Sequence, residues 1–230
     1  MGMLPYIKNS MTTKTSSDVI FHTQSRGIGD AKLMALIKTK SSSNVHSPFT
    51  IGTSFPTGSL TQTDDTPMGA DTLLPYPMQL GSGTFDLLPG YTLQKQYEKG
   101  SAGFQVSGIY RLGENEEGYR LGNQGNITAW MAYILQPYLS SSARLAYRTY
   151  GNIDGKNSNL VSTLTPAADP NLRGGQVLDL GLGLNLLKTT STVKGNRLAL
   201  EVIIPLYADL NGPQLKDGKK LTLAWQKSFN

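Results

Sequence analysis

The residues of this chain that could carry out chemistry are few and widely separated. Cysteine is absent, and the only two histidines, His22 and His46, fall in different predicted connections. A catalytic triad or a zinc site would need one of them beside a nucleophile or a second ligand, and no spacing in the sequence indicates such a neighbour. We therefore predict no catalytic residue, no metal site and no bound cofactor, and a surface or structural role for both histidines.

One predicted loop contains two further groups that resemble reactive sites. Asp64, Asp65 and Asp71 could supply oxygen ligands to calcium, but they do not follow the EF-hand spacing. Ser82 lies between two glycines without the Gly-x-Ser-x-Gly spacing of a nucleophile elbow. No phosphate-binding loop or His-Glu-x-x-His motif is present either. A solvated loop and a glycine turn are therefore the better interpretations of these groups.

Seven charged residues on the polar side of predicted strands form the candidate site. They are Arg111, Arg144, Arg148, Arg197, Asp86, Asp179 and Glu201. Successive side chains of a strand point to opposite faces, so these charges lie opposite the apolar residues of their strands. Charges removed from bulk water must be paired or hydrated. Two interpretations stay open: a structural network that plugs a narrow lumen, and a hydrated path with a mild anion preference, since these arginines outnumber the acids.

Alternation of apolar and polar residues predicts the strands that carry these charges. The clearest segment is Val177 to Leu186, where five leucines alternate with small or polar residues. Similar patterns occur in Arg197 to Leu206, Lys220 to Phe229, Phe104 to Leu112 and Phe85 to Leu93. A helix would distribute such leucines around its circumference, so a period of two residues predicts extended strands. We predict about ten strands, the first of which is Leu4 to Met11.

The predicted connections alternate between short and long. Short ones fall near 41–45, 97–101, 137 and 189–195, and longer ones near 14–26, 57–82, 113–122, 151–174 and 208–219. Outer-membrane barrels have short periplasmic turns and longer extracellular loops. The connection 57–82 is long for a compact domain and has little predicted structure, so we expect it to fold over the mouth of a barrel or into its lumen.

Length and composition favour a single β-rich domain over residues 1–230. Only 16% of the residues are charged, and the 25 glycines and 12 prolines are spread along the chain. The net charge of +5 is dispersed, so a nucleic-acid partner is not expected. No run of 18 apolar residues occurs, which excludes a helical span. The prediction is an all-β, antiparallel, up-and-down transmembrane β-barrel whose leucine faces contact outer-membrane lipid.

The two ends of the chain give further expectations about export and assembly. The opening residues Met1 to Lys8 lack the basic start, apolar core and cleavage site of a signal peptide. We therefore expect an N-terminally truncated sequence. The final segment, Ala224 to Asn230, resembles the terminal strand with a near-terminal aromatic residue that barrel-assembly machinery recognises. Phe229 is here followed by one more residue, whereas such barrels usually end on the phenylalanine itself.

Several segments of the chain resemble a known family. They are Gly27-Ile28-Gly29-Asp30, Phe55-Pro56-Thr57-Gly58-Ser59, the stretch from Leu74 to Thr84, Arg111-Leu112-Gly113-Glu114-Asn115, Gly151-Asn152-Ile153-Asp154-Gly155 and the stretch from Asp209 to Leu215. Over nearly its whole length the chain resembles the bacterial proteins called transporters or MetA-pathway phenol-degradation proteins. The resemblance implies an outer-membrane barrel related to channels for hydrophobic compounds.

The same resemblance bears on the N-terminus and on metal. Longer members of the family carry a Met- and His-rich segment before the first strand of this chain, and this chain lacks it. The resemblance therefore implies a truncated chain, with twelve strands in a full-length form. Because that segment is the part that suggests copper or other soft metals, a metal role stays open.

The sequence thus predicts an outer-membrane channel or transporter-like protein for a small molecule that is hydrophobic or metal-related, and not an enzyme. Two alternatives stay open. A soluble β-sandwich or lipocalin-like carrier would share the period of two residues but would bury the leucine faces. An outer-membrane lipid hydrolase would need a serine or aspartate nucleophile beside His22 or His46.

Overall fold

A computed structural model describes residues 1–15, 18–39, 42–163, 165–188 and 196–227. Over these residues the chain is almost entirely β structure, with three single-turn 3-10 helices, and none of its helices is long and apolar enough to cross a membrane. The strands are β1 (Gly2–Met3), β2 (Tyr6–Lys14), β3 (Ile20–Ile28), β4 (Ala31–Ile37), β5 (Val45–His46), β6 (Phe49–Phe55), β7 (Thr63–Thr66), β8 (Gly69–Leu73), β9 (Phe85–Leu87), β10 (Gly90–Tyr97), β11 (Gly100–Leu112), β12 (Tyr119–Arg120), β13 (Gln124–Gln136), β14 (Leu139–Tyr150), β15 (Asp154–Gly155), β16 (Gly175–Lys188), β17 (Asn196–Leu210) and β18 (Lys220–Lys227).

Twelve of the described strands join in one antiparallel sheet. Its order is β1-β4-β6-β10-β11-β13-β14-β16-β17-β18, with β5 beside β10 and β9 between β6 and β11. Short turns follow β10 and β13 at one end of the sheet, and long connections follow β6, β11 and β14 at the other. This is the predicted up-and-down arrangement, and the predicted all-β antiparallel fold class is confirmed.

The sheet curves around a half-open cavity of about 360 Å³ at the end that carries the short turns. The cavity is lined by residues of six successive strands, from Gln96 on β10 to Arg197 on β17. Neighbouring strands are about 4.8 Å apart, so six strands of a flat sheet would extend over more than 20 Å and could not enclose one small cavity. The inner face of the barrel is therefore the face that carries Gln96 and Arg197.

The outer face of the wall carries large apolar side chains that no other part of the described chain covers. Leu184 on β16 is 50% exposed, Leu200 on β17 is 40% exposed and Leu223 on β18 is 68% exposed. The buried apolar cluster lies elsewhere, in the long connections, where Tyr76, Tyr119 and Ile153 pack together. The described chain therefore has its compact core in a cap at one end, and not between two sheets.

The N-terminal part of the predicted strand pattern was wrong. Residues 14–26, predicted as a long connection, include most of β3, which pairs with β2 along its whole length. The predicted first strand, Leu4 to Met11, is mostly strand in β2, but of the segment before β3 only β1 pairs with the wall, through β4. Both faces of β3 carry polar residues such as His22 and Ser25, which is why a search for apolar alternation missed this strand.

The predicted strand from Phe85 to Leu93 is two strands in the structure. β9 ends at Leu87 and β10 begins at Gly90. Pro89 between them has no N–H to donate to a ladder. Leu88 is buried, and its N–H donates to the carbonyl oxygen of Gly52 at 2.8 Å. The Pro89 carbonyl oxygen accepts from the N–H of Gly108 at 3.0 Å, so two backbone bonds from the residues between the strands hold the wall across the break.

The connection 57–82 has more structure than the sequence predicted. It contains the hairpin of β7 and β8 and a 3-10 helix at Tyr76–Met78. The connection 151–174 contains β15 and two further 3-10 helices. The predicted short link at 189–195 and the terminal Phe229 lie outside the described residues.

Candidate functional site

The candidate site is the inner face of the barrel, where pairing registers place the predicted charges. Arg144 lies opposite Gly181, and Glu201 lies opposite Gly183. Arg111 lies opposite Asp86. Seven predicted residues lie on the face opposite most exposed apolar residues of their strands: Arg111, Arg144, Arg148, Arg197, Asp86, Asp179 and Glu201. Leu187, near the end of β16, is an exposed apolar residue on the inner face. That they line an open lumen remains a prediction.

Arg144 and Glu201 form an ion pair that crosses the strand between them. The Nε and Nη2 atoms of Arg144 donate to the two carboxylate oxygens of Glu201, both at 2.8 Å. Gly181 on β16 lies beneath the pair, and a Cβ atom there would overlap Glu201 Oε1 and lie 3.4 Å from Arg144 Nε. The absence of a side chain at Gly181 therefore lets this bidentate pair lie flat against the wall.

Trp130 is accommodated on the inner face in a similar way. It lies on β13 directly opposite Gly103 on β11. A Cβ atom at Gly103 would overlap the six-membered ring of the indole. A Cβ atom at Gly183 would likewise overlap the hydroxyl of Ser142, which lies opposite Gly183 on β14. Inner-face glycines thus give larger side chains of neighbouring strands room against the wall.

Arg111 and Asp86 form the most buried ion pair of the described chain. The Asp86 side chain is 1% exposed and that of Arg111 is 8% exposed, and Arg111 Nη1 donates to Asp86 Oδ2. Thr84 Oγ1 donates to the other carboxylate oxygen at 2.7 Å. Arg111 Nε and the nearby hydroxyl of Ser54 have no hydrogen-bond partner within the described chain. This region of the inner face is therefore densely packed and highly polar.

Arg148 has an acidic partner that the sequence did not identify. Its Nη2 atom donates to Asp217 Oδ2 at 3.1 Å, and Lys220 Nζ donates to the same oxygen at 2.6 Å. These three residues line a second cavity, of about 280 Å³. Two cations therefore share the carboxylate of Asp217. The sequence did not identify Asp217 because it belongs to the connection between β17 and β18, where no periodic pattern marks a residue as inward.

The two remaining predicted residues have neutral or distant partners. Arg197 donates from Nε and Nη2 to the amide oxygen of Asn185, at 3.1 and 2.6 Å. Asp179 lies within electrostatic range of Arg144. The seven predicted charges are thus not one network: two pairs form among them, one residue pairs with Asp217 and one with an amide.

The long connections form a cap that is fixed to the barrel by hydrogen bonds. The carboxylate of Asp30 accepts from Gly58 N at 3.0 Å and from the backbone and hydroxyl of Ser82, both at 2.7 Å. Tyr76 and Tyr119 contact edge to face at 4.9 Å, and burial raises the pKa of Tyr119 to about 12. Ser82 therefore anchors a loop, consistent with the turn at Gly83, whose φ is 69°.

His22 and the loop aspartates are separate from the inner face, whereas His46 shares it, because its partner Gln94 is on the same side of β10 as Gln96. His22 lies on β3, and not in a connection as predicted; its Nδ1 is 2.8 Å from Thr12 Oγ1. His46 lies on β5, opposite Gln94. Asp64 Oδ2 accepts from the N–H of Gln24, which lowers the Asp64 pKa. No group of three or more His, Cys, Asp or Glu that could hold a metal occurs within the described ranges.

A curved antiparallel sheet with a polar inner face and an apolar outer face has the architecture of a transmembrane β-barrel. The fold is similar to that of an outer membrane channel from Pseudomonas putida F1, with a TM-score of 0.63 and 14% sequence identity. The match covers 98% of this chain and 73% of the channel. No family model and no curated protein matches the chain. The similarity therefore concerns the fold.

Proposed function

We propose that this protein is an outer-membrane channel that conducts small solutes along the inner face of the barrel, with a mild preference for anions. One observation carries the proposal: the wall exposes its leucines on one face, where no other described segment covers them, while the seven charges of the candidate site lie on the opposite face. In water such an apolar surface would be a site of association. In a bilayer the same surface contacts hydrocarbon, and its exposure has no such cost.

The dimensions of the wall strands support this location. Strands β11, β13, β14, β16 and β17 are 13, 13, 12, 14 and 15 residues long. A transmembrane strand needs about 9–11 residues, so each of them is long enough to cross the hydrocarbon layer. The long connections and their cap would then lie on the extracellular side, and the short turns on the periplasmic side.

The balance of charge on the inner face supports an anion preference. The pairs Arg111–Asp86 and Arg144–Glu201 are each neutral. Arg148 and Lys220 share the single carboxylate of Asp217, which leaves one positive charge there. A lumen with an excess of fixed positive charge raises the local concentration of anions.

Neither alternative class has comparable support. A soluble sandwich or carrier would bury Leu200 and Leu223, which are exposed. A hydrolase would need a nucleophile beside a histidine, whereas the hydroxyl that contacts His22 is that of Thr12 on β2, outside the wall. The similarity to a solved outer membrane channel also favours the channel.

The two tryptophans test which face meets lipid. Trp225 is 69% exposed on the outer face of β18, and Trp130 lies on the inner face. In liposomes of brominated phosphatidylcholine, the fluorescence of the Trp130→Phe variant, which retains only Trp225, should be strongly quenched. That of Trp225→Phe, which retains only Trp130, should change little. Equal quenching of both variants, or quenching of Trp130 alone, would contradict the proposed orientation.

Planar bilayers test conduction and selectivity. Wild-type protein should give reproducible conductance steps, and its reversal potential in a potassium chloride gradient should indicate excess chloride permeability. Arg148→Gln should reduce that excess because it removes a cation from the inner face. Lys14→Gln is the matched control, since Lys14 lies on β2, outside the wall, and pairs with Asp18. A silent bilayer would favour a plugged barrel, and cation selectivity would refute the anion preference.

A further inference from the structure

The hairpin of β2 and β3 has one buried face and one exposed face. On the buried face, Ser25 Oγ donates to the carbonyl oxygen of Met78 at 2.6 Å, and Thr23 is 1% exposed. The exposed face consists of alternate residues of both strands: Tyr6, Lys8, Ser10, Thr12, Lys14, Ile20, His22, Gln24, Arg26 and Ile28. Since the buried face packs on the cap, the exposed face points away from it.

Lys8 and Arg26 lie directly opposite each other on the exposed face. Like charges in this position destabilise an antiparallel pair of strands. Among the residues that the structure describes, no carboxylate pairs with either side chain, whereas Lys14 on the same face pairs with Asp18 at 2.8 Å. The hairpin therefore presents two adjacent positive charges whose repulsion an external anion would relieve.

The position of this basic pair along the barrel indicates where that anion lies. The next cross-strand pair on this face in the direction of the wall is Tyr6 with Ile28, and these side chains are 71% and 50% exposed. Within the wall, Phe55 on β6 and Phe85 on β9 are exposed and contact each other with ring centroids 5.9 Å apart. The outer surface thus changes from apolar to aromatic to basic along one direction, as expected where hydrocarbon gives way to headgroups.

The distances agree with this assignment. Residues two apart on a strand are separated by about 7 Å, so Lys8 and Arg26 lie about one such step beyond Tyr6 and Ile28. The headgroup region of a bilayer is about 5–7 Å thick on each side of the hydrocarbon. If Tyr6 lies at the edge of the hydrocarbon, the two cations fall within the headgroup layer.

We propose that Lys8 and Arg26 bind a phosphate group of a lipid headgroup in the outer leaflet, with Tyr6 and Ile28 against the upper part of its acyl chains. The inference rests on the proposed outer-membrane location. The Cβ atoms of directly opposed residues are about 5 Å apart, so the two side chains can converge on one phosphate. The guanidinium supplies two parallel donors, and the ammonium adds a point charge.

Lipid binding in detergent tests the proposal. Native mass spectrometry would measure the affinity of the full chain for diphosphoryl lipid A and for a phosphate-free glycolipid. Wild-type protein should prefer the phosphate-bearing lipid, and Lys8→Gln/Arg26→Gln should bind it about 30-fold more weakly, since each cation near a headgroup contributes about a fivefold effect. Lys14→Gln, on the same face but paired with Asp18, should bind as the wild type does.

Several outcomes would overturn the inference. Equal affinity for the two lipids, or a double variant that binds like the wild type, removes the role of the basic pair. Displacement of the lipid by a modest excess of inorganic phosphate would show that the site recognises free phosphate instead. Heat-modifiable gel mobility shows whether each variant forms the barrel, and conductance is measured separately. A conducting barrel without phosphate preference contradicts this inference alone, whereas failure to insert into bilayers contradicts the proposed function.

Discussion

Replacing Asp86 with alanine is expected to lower the free energy of unfolding by about 3–5 kcal/mol, because it leaves a guanidinium buried without its carboxylate. The Arg111 side chain is 8% exposed, and it has no other acidic partner within the described chain. Urea unfolding of the refolded barrel in detergent, followed by tryptophan fluorescence, would measure the loss. Thr84 Oγ1 would lose its acceptor in the same variant, which adds to the cost.

A double-mutant cycle separates the pair from its surroundings. Arg111→Met should also destabilise the barrel, but Asp86→Ala/Arg111→Met should be more stable than the sum of the two single effects predicts, since neither charge is then left alone. Arg120→Ala is the matched control, because Arg120 pairs with Asp154 at 2.7 Å where both side chains are more exposed. It should cost less than about 1 kcal/mol. Additive effects of Asp86→Ala and Arg111→Met would contradict the proposed coupling.

The largest expected effect on conduction is at Gly181. A methyl group there would occupy the space of the Glu201 carboxylate. This carboxylate is the far end of a flexible side chain, so Gly181→Ala should lift the Arg144–Glu201 pair off the wall at little cost in stability. We expect the single-channel conductance in planar bilayers to fall severalfold. Removal of the pair by Arg144→Ser/Glu201→Ser should have the opposite effect and raise it.

Gly125→Ala is the control for the effect at Gly181. Gly125 lies on β13 with the outward-facing residues, and its new methyl group would make an ordinary contact of 3.4 Å with Thr149 Cγ2. Its conductance should equal that of the wild type. If Gly181→Ala conducts normally while its urea stability is unchanged, the pair does not restrict the path. A large loss of stability in Gly181→Ala would instead indicate that the wall itself has been distorted.

The sequence alone determined the fold class and the faces of the strands. The alternation from Val177 to Leu186 is a local property: side chains of an extended backbone point to opposite faces. Once five leucines are assigned to one face, Asp179, Gly181 and Gly183 must lie on the other. The same rule assigned Arg144 and Glu201 to one side of the sheet before their contact was known.

The sequence could not determine how residues of different strands meet. Arg148 pairs with Asp217, which is 69 positions away in a connection without periodicity, and Asp30 fixes Ser82, which is 52 positions away. Such contacts depend on the registers of several strand pairs, and one residue of slip would reverse every face. The sequence marks Gly181 only as a small residue between leucines; its place beneath an ion pair requires the positions of Arg144 and Glu201.

Two elements escaped prediction for a different physical reason. β3 lies outside the wall, paired with β2, and both of its faces carry polar residues, so it lacks the apolar period that identifies the wall strands. The break at Leu88 and Pro89 leaves the alternation of side chains nearly intact and changes only the backbone pairing. Side-chain periodicity reports burial in a wall or a core, whereas tertiary structure decides which backbone groups find partners.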